Sequence, residues 1–273
     1  MRGWLERGIG LFDRPLPDGT VLHHYRIEHV LGMGSYGFTY LVTDLSSLEQ
    51  KVAKQLRKSK RRLNAGRKSF AYEQRILKQL NHPAIPRFLD SFIWKNELFF
   101  IMEYIQGRTF EQLIFEDRAA FSELEAFRTI LNINDIVAYV HKQGIVHRDL
   151  RIPNILVQGE KLFLIDFGLA RYIGERDERE NEFAGEKKFM REIHYRSDFY
   201  ALGHFLLFLL YSGYTPVCDK ERPWYEELSI SPRGTYILKR MLQIEEPYQN
   251  AKALNDDIQF FIKEREESCF KNF

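Results

Sequence analysis

The sequence predicts an α+β chain in two parts, a small β-rich part followed by a larger helical one. Three observations carry this. From Tyr25 to about Met102 the apolar residues come in short alternating runs, the period of strands, with one helix-period segment inserted. From Phe110 onward the patterns are longer and mostly helical. The change falls near Ile105-Gln106-Gly107, which places a boundary there: a leader over 1–20, a first part over about 21–104 and a second over about 105–273. At 273 residues with 44% hydrophobic content, the chain can bury a substantial core.

The leader ends in Asp13-Arg-Pro-Leu-Pro-Asp-Gly19, a run of turn formers that reads as a surface loop. Charge adds little: 40 basic against 38 acidic residues give +2, so no nucleic-acid partner is expected. Two cysteines, Cys218 and Cys269, lie too far apart for a disulfide framework or a zinc spacing. That favours a reducing compartment, and a cytoplasmic location is expected. The longest apolar run, Leu202–Tyr211, is too short for a bilayer, contains His204 and reads as a buried helix, so no membrane span is expected. Arg2, Glu6 and Arg7 argue against a signal peptide.

Tyr25–Leu31 and Phe38–Val42 alternate as strands, and between them stands Gly32-Met33-Gly34-Ser35-Tyr36-Gly37. Three glycines permit φ > 0 and a close approach of backbone to a ligand. Backbone N–H groups in such a loop can point at phosphate oxygens. A strand follows the loop, whereas a dinucleotide fold requires a helix there. Tyr36-Gly-Phe-Thr39 also lacks the lysine of a Walker loop.

The next strand is expected to end at Val52-Ala53-Lys54. In the helix-period segment, Phe70, Glu73, Leu77 and Leu80 share one face, widened by Ile76. Glu73 therefore lies on the inward stripe, and a buried carboxylate needs a partner charge. Lys54, nineteen positions earlier, is the natural one. Between them runs Lys51, Lys54, Arg57, Lys58, Lys60, Arg61, Arg62, Arg67 and Lys68 without an acid. This run reads either as a solvated loop and helix start or as a docking patch for an acidic partner.

In the second part, Ile155-Leu-Val157 and Leu162–Ile165 form a hairpin around a four-residue turn, Gln158–Lys161. Its outer ends, Asn154 and Asp166, are thereby brought side by side. An amide oxygen beside a carboxylate suits Mg²⁺, with phosphates and water completing the shell. Asp149 lies five residues before Asn154, in a loop after the amphipathic helix Ser122–Lys142. A carboxylate there can accept the proton of a hydroxyl that attacks a terminal phosphate.

Taken in order, these residues resemble the protein kinase family over roughly residues 22–262. His147-Arg148-Asp149-x₄-Asn154 and Asp166-Phe167-Gly168 match at full length, and the glycine loop, Lys54 and Glu73 precede them at similar spacings. Leu98–Ile105 looks like the last strand of the small lobe entering the hinge, and Asp198–Gly203 resembles the start of the buried helix of the large lobe. The compact size looks like a bacterial kinase of the eukaryotic Ser/Thr type. The resemblance implies a bilobal fold, ATP and Mg²⁺ as cofactors, and phosphoryl transfer to Ser/Thr hydroxyls of proteins, the chain itself included.

The resemblance also assigns roles. Gly32, Met33, Gly34, Ser35, Tyr36 and Gly37 would cover the phosphates. Lys54, held by Glu73, would contact the α- and β-phosphates. Leu31, Thr39, Val52 and Leu156 would line the adenine slot, with backbone groups of Glu103 and Ile105 on the base and Met102 as gatekeeper. Asp149 would be the catalytic base, Arg151 would meet the γ-phosphate, and Asn154 and Asp166 would hold Mg²⁺. His147 would pack structurally. Other readings are a pseudokinase or nucleotide-binding scaffold, or a small-molecule kinase on the same fold.

Several positions depart from the family pattern. Arg151 stands where Ser/Thr kinases usually carry Lys, Pro153 comes one place late, and Thr39 replaces an expected Val. Asp166–Glu186 holds no Ser or Thr, and Tyr172 is its only hydroxyl. It carries Glu175, Asp177, Glu178, Glu180 and Glu182 instead, interleaved with Arg176 and Arg179. Ala184-Gly-Glu186 replaces Ala-Pro-Glu, and Asn250 stands where its Arg partner is expected. The segment is therefore expected not to be switched by Ser/Thr phosphorylation. Either Glu178 or Glu180 pairs with Arg148, or the stretch is a solvated loop.

Overall fold

Strand-period patterning in the first hundred residues produces one antiparallel sheet. The computed structural model describes residues 13–34, 37–61, 64–175, 183–216 and 222–270. The chain divides into two compact units between Gln106 and Gly107.

In the first unit the strands are β1 (Val21–Leu22), β2 (Tyr25–Met33), β3 (Gly37–Asp44), β4 (Gln50–Leu56), β5 (Phe88–Trp94) and β6 (Glu97–Glu103), in the order β1-β2-β3-β4-β6-β5. Alternation sends Tyr25, Ile27, Phe38, Tyr40, Val42, Ala53, Phe99 and Ile101 into one apolar cluster with Leu22. The short helix α1 (Lys58–Arg61) and the longer α2 (Asn64–Gln79) follow β4. Phe70 of α2 meets Phe100, the neighbour of Phe99 on the other face of the sheet, with ring centroids 5.1 Å apart. The stripe expected on this helix is buried: Phe70, Glu73, Ile76, Leu77 and Leu80 all lie inside.

β4 runs past its expected end at Lys54 to the buried Gln55 and Leu56, so the lysine lies within the strand. Gln55 continues the strand because its polar atoms are satisfied. It accepts from Tyr40 Oη at 2.5 Å and donates to the buried Glu97, whose charge meets Lys58 Nζ at 2.9 Å. The end of the leader joins this region. Leu16 N–H donates to Tyr40 Oη at 3.1 Å, and Gly19 N–H to Ile27 O at 2.8 Å.

The second unit is mainly helical. α3 (Phe110–Phe115) and α4 (Glu123–Lys142) each start with a capping box, Thr109 with Gln112 and Ser122 with Glu125. They are followed by α5 (Glu186–Arg191), α6 (Tyr195–Tyr211), α7 (Trp224–Glu227), α8 (Pro232–Met241) and α9 (Ala251–Phe270). The apolar run expected to form a buried helix is the body of α6, where Leu202, Phe205, Leu206 and Leu209 are buried. Phe205 packs on Phe110 at 5.2 Å, and Phe127 of α4 on Phe261 of α9 at 4.3 Å. Asn134 ties the same two helices by donating to Ala251 O and Asn255 Oδ1. Among the described residues no helix is long and apolar enough to cross a membrane.

Short strands complete the unit: β7 (Arg108–Thr109), β8 (Ile145–Val146), β9 (Ile155–Gln158), β10 (Lys161–Leu164) and β11 (Arg171–Tyr172). β9 and β10 form the expected hairpin, but Gln158 pairs with Lys161, so the turn has two residues rather than four. Gly159, at φ +59°, supplies the left-handed conformation that so tight a turn requires.

Candidate active site

In the first unit, β4 and α2 bring Lys54 and Glu73 together. Lys54 Nζ stands 2.5 Å from Glu73 Oε1, with side chains only 13% and 8% exposed. Strand register puts Thr39 opposite Lys54 and Gly32 opposite Thr39. Val52 and Met102 are buried, while Leu31 and Met33 stay 43% and 67% exposed beside the glycine loop.

The glycines act differently from expectation. Neither Gly32 nor Gly34 takes a positive φ. Gly34 N–H donates to Gly37 O at 3.0 Å, closing the loop on itself. A Cβ on Gly37 would stand 2.4 Å from Gln55 O, so this glycine serves the approach of β3 to β4. Among the described residues, a Cβ on Gly32 would meet nothing within 4 Å, and one on Gly34 only Gly37 O at 3.9 Å. Ser35 and Tyr36, expected over the phosphates, lie outside the described residues.

At the end of β6, Glu103 N–H donates to Arg87 O at 3.0 Å. Its carboxylate is bound by Arg87 Nε at 2.5 Å. Burial pushes the Glu103 pKa up, but the Arg87 hydrogen bonds outweigh it and hold the group below the usual range. Ile105 follows as half-buried backbone. Of the basic run, Lys51 pairs with Glu49 and Lys58 with Glu97, acids supplied by adjoining strand ends.

In the second unit the loop after α4 and the hairpin gather Asp149, Arg151, Asn154 and Asp166. Asn154 Nδ2 donates to Asp149 O at 2.8 Å and to Asp149 Oδ2 at 2.9 Å. Arg151 forks onto the same carboxylate, with Nε 2.9 Å from Oδ1 and Nη2 donating to Oδ2 at 3.1 Å. Ile165 N–H donates to Asn154 O at 3.1 Å, extending the hairpin by one step so that Asp166 follows beside Asn154. Asp166 Oδ1 accepts from Gly168 N–H at 2.9 Å. Leu156 sits on β9, between Phe163 and Thr109 in register.

Two supporting residues carried no assigned role at the sequence level. Asp198 is fully buried on α6 and accepts from the backbone N–H groups of His147 and Arg148 at 2.8 and 2.7 Å, and it meets His141 Nε2 at 2.8 Å. Burial pushes its pKa up, but the His141 hydrogen bond and charge, with His147 and its backbone N–H, bring it below the ordinary value. Arg191, at the end of α5, donates from Nη2 to Asp149 Oδ1 at 2.9 Å. Asp198 was visible in its motif; nothing in Glu186–Arg191 marks Arg191.

His147 is fully buried, edge-on to Phe167, and burial pushes its imidazole pKa down. Arg148 is buried with φ +66° and donates to Arg191 O at 2.7 Å and Leu169 O at 3.3 Å. Glu178 and Glu180, its expected partners, lie outside the described residues. Glu186 is exposed and makes no ion pair among the described residues, while Asn250 Oδ1 accepts from Ala253 N–H at the start of α9.

Comparison with known proteins gives the same picture. The family model described as the protein kinase domain matches residues 25–268. A probable serine/threonine-protein kinase, YbdM of Bacillus subtilis strain 168, is 40% identical over 251 residues, covering 91% of this chain and 93% of the relative. Serine/threonine-protein kinase B of Synechocystis is 28% identical over 267 residues, 86% of this chain but 46% of the relative. Among solved structures, the PknI kinase domain of Mycobacterium tuberculosis superposes with TM-score 0.69 at 21% identity, covering 90% of this chain and 98% of that one. That likeness shows the protein kinase fold, with a β-sheet N-lobe and a helical C-lobe. With a family match over nine-tenths of its length and a near full-length relative, the chain belongs to the protein kinase domain family.

Proposed function

We propose that this chain is a cytoplasmic serine/threonine protein kinase that transfers the γ-phosphoryl group of ATP, with Mg²⁺, to hydroxyls of proteins, itself included. The observation that carries this reading is the Asn154 amide. With Nδ2 committed to Asp149, its Oδ1 is the atom left for a cation beside the Asp166 carboxylate. Among the described residues no group of three or more His, Cys, Asp or Glu could hold a metal by itself. That fits a magnesium ion completed by phosphate and water better than an all-protein cage. When bound, Mg²⁺ neutralises charge on the phosphate oxygens.

The residues of the chain take the remaining roles. Lys54, held by Glu73, places positive charge on the α- and β-phosphates. Among the described residues nothing lies within 4 Å of a Cβ on Gly32, which suits a close approach of phosphate to the loop backbone. Leu31, Thr39, Val52 and Leu156 line the adenine, and backbone groups of Glu103 and Ile105 bind its edge. Asp149 takes the hydroxyl proton as the hydroxyl oxygen bonds to the γ-phosphorus, and the bond to the bridging oxygen breaks to release ADP. Arg151 supplies charge to the γ-phosphate in a forked geometry that lysine lacks. The near full-length Bacillus relative favours Ser/Thr as acceptor, and the two distant cysteines favour the cytoplasm.

The test is incubation with labelled ATP, Mg²⁺ and a generic protein substrate, followed by phosphoamino-acid analysis. Phosphoserine and phosphothreonine are expected, with transfer reduced about 10²–10⁴-fold in Asp149→Asn. Phosphotyrosine alone overturns the acceptor assignment. Nucleotide binding without any transfer favours a scaffold.

A further inference from the structure

The basic run at the end of β4 holds more cations than the acids around it answer. Lys51, Lys54 and Lys58 are ion-paired, with Glu49, Glu73 and Glu97. Arg57, Lys60 and Arg61 meet no acid among the described residues. Arg57 Nε is buried there without a hydrogen-bond partner, its guanidinium 4.8 Å over the Phe38 ring. Within this cluster, on α1, stands Ser59. Asp13 of the leader accepts from its N–H at 3.2 Å and from its hydroxyl, across 46 residues. Asp13 thus brings a carboxylate among the cations and spends it on two neutral donors.

A phosphate on the Ser59 hydroxyl would reverse that arrangement. It carries about −1.5 to −2 charge at neutral pH and three acceptor oxygens. Arg57, Lys58, Lys60 and Arg61 lie within two residues of it in sequence, and each can donate to it in a charge-assisted bond. The hydroxyl proton that Asp13 accepts would be gone, and a second anion would stand against its carboxylate. α1 is a single turn with no buried residue, so residues 58–61 can open locally and present Ser59 as an acceptor. Asp166–Glu186 holds no Ser or Thr, so transfer to the chain's own Ser or Thr hydroxyls has to fall outside that segment.

We propose that Ser59 is a site of self-phosphorylation, and that its phosphate displaces Asp13 and detaches the end of the leader. Ser59 Oγ bonds to the γ-phosphorus of ATP, the bond to the bridging oxygen breaks to release ADP, and Asp149 takes the hydroxyl proton. The transfer rests on the kinase activity proposed above. Next to Asp13 in the leader, Leu16 packs on the apolar cluster of the sheet and donates its N–H to Tyr40 Oη at 3.1 Å. Gly19 N–H is held by Ile27 O at 2.8 Å. Loss of the Asp13 tie loosens Leu16 and leaves the Gly19 pairing in place.

The test incubates the full chain with ATP and Mg²⁺, with and without a generic protein substrate, and reads phosphate on Ser59 by peptide mass spectrometry. Wild type is expected to carry it and Asp149→Asn to lack it. Asp13→Ala frees the hydroxyl and is expected to raise the initial rate at Ser59 about tenfold, the scale of one charge-assisted hydrogen bond, with transfer to the generic substrate unchanged. Leu16 is the single amide between Pro15 and Pro17, so its hydrogen exchange can be followed by itself. ATP treatment is expected to speed it about tenfold in wild type and to leave it unchanged in Ser59→Ala. Transfer to the generic substrate with Ser59 bare in both wild type and Asp13→Ala overturns the site alone. A phosphorylated Ser59 with Leu16 exchange unchanged overturns the displacement of Asp13. No transfer to any acceptor overturns the kinase reading and the proposal with it.

Discussion

Lys54 Nζ lies 2.5 Å from Glu73 Oε1, although nineteen residues and a change from strand to helix separate them. Both side chains are nearly dry, so the pair costs desolvation and returns it only while both charges are present. Removing one partner takes the opposite charge away from a buried group. Glu73→Leu is therefore expected to lose about 3 kcal/mol in urea unfolding followed by circular dichroism, and Lys54→Met/Glu73→Leu to recover most of it. Each single variant is also expected to lose phosphoryl transfer. A double-variant loss equal to the sum of the two single losses would show that the pair carries no coupling.

The glycine loop separates a folding role from a ligand role. Gly37→Ala drives a methyl group against Gln55 O, a backbone atom that moves only if β3 and β4 part. It is expected to cost about 1–3 kcal/mol, read as a lower thermal midpoint. Gly32→Ala meets nothing among the described residues, so its midpoint should hold and its effect should appear in ATP affinity. A fall in midpoint for Gly32→Ala equal to that for Gly37→Ala would erase the distinction.

What the sequence made legible follows from which interactions are periodic or local. Phe70, Glu73, Ile76 and Leu77 revealed an inward face because helical period alone dictates it. Asn154 and Asp166 became neighbours because an antiparallel hairpin leaves its outer ends side by side. The end of β4 was read too early. A polar Gln55 looks like an exit, and only its pairing with Tyr40 and Glu97, 15 and 42 residues away, keeps it in the sheet. The glycine loop was read by composition, which permits positive φ without requiring it. Arg191 was invisible because its partner is 42 residues upstream and its own neighbourhood, Lys187, Lys188, Phe189 and Met190, shows no pattern that singles it out.

Asn154 holds Asp149 by donating, so the sign of a substitution matters more than its size. Asn154→Ala removes two hydrogen bonds to Asp149. Asn154→Asp sets acceptor oxygens against the Asp149 carbonyl and carboxylate, adding repulsion to the loss. The expected order of stability at neutral pH is wild type, then Ala, then Asp, with Ala about 1–3 kcal/mol below wild type in chemical denaturation. An Asp variant as stable as Ala would mean that the amide does not face Asp149 as a donor.

His204 gives the fold a dependence on pH. It sits on α6 against Tyr200, ring centroids 4.8 Å apart, and its Nε2 is buried without a hydrogen-bond partner among the described residues. Burial holds its pKa below the ordinary 6.5, and the charge of Glu186 offsets this only in part. Between that lowered value and 6.5 the unfolded chain binds a proton that the native chain does not. Native stability therefore falls as pH drops through this window and is fully present above it. His204→Phe removes the proton uptake and the unpartnered nitrogen together. It is expected to flatten the stability profile between pH 7.5 and 5.5 and to match or exceed wild type at pH 7.5, by up to about 1 kcal/mol. Part of the slope should persist, because His82 and His147 are also lowered by burial. Urea midpoints across that range measure it, and an unchanged slope in His204→Phe would remove His204 from the account.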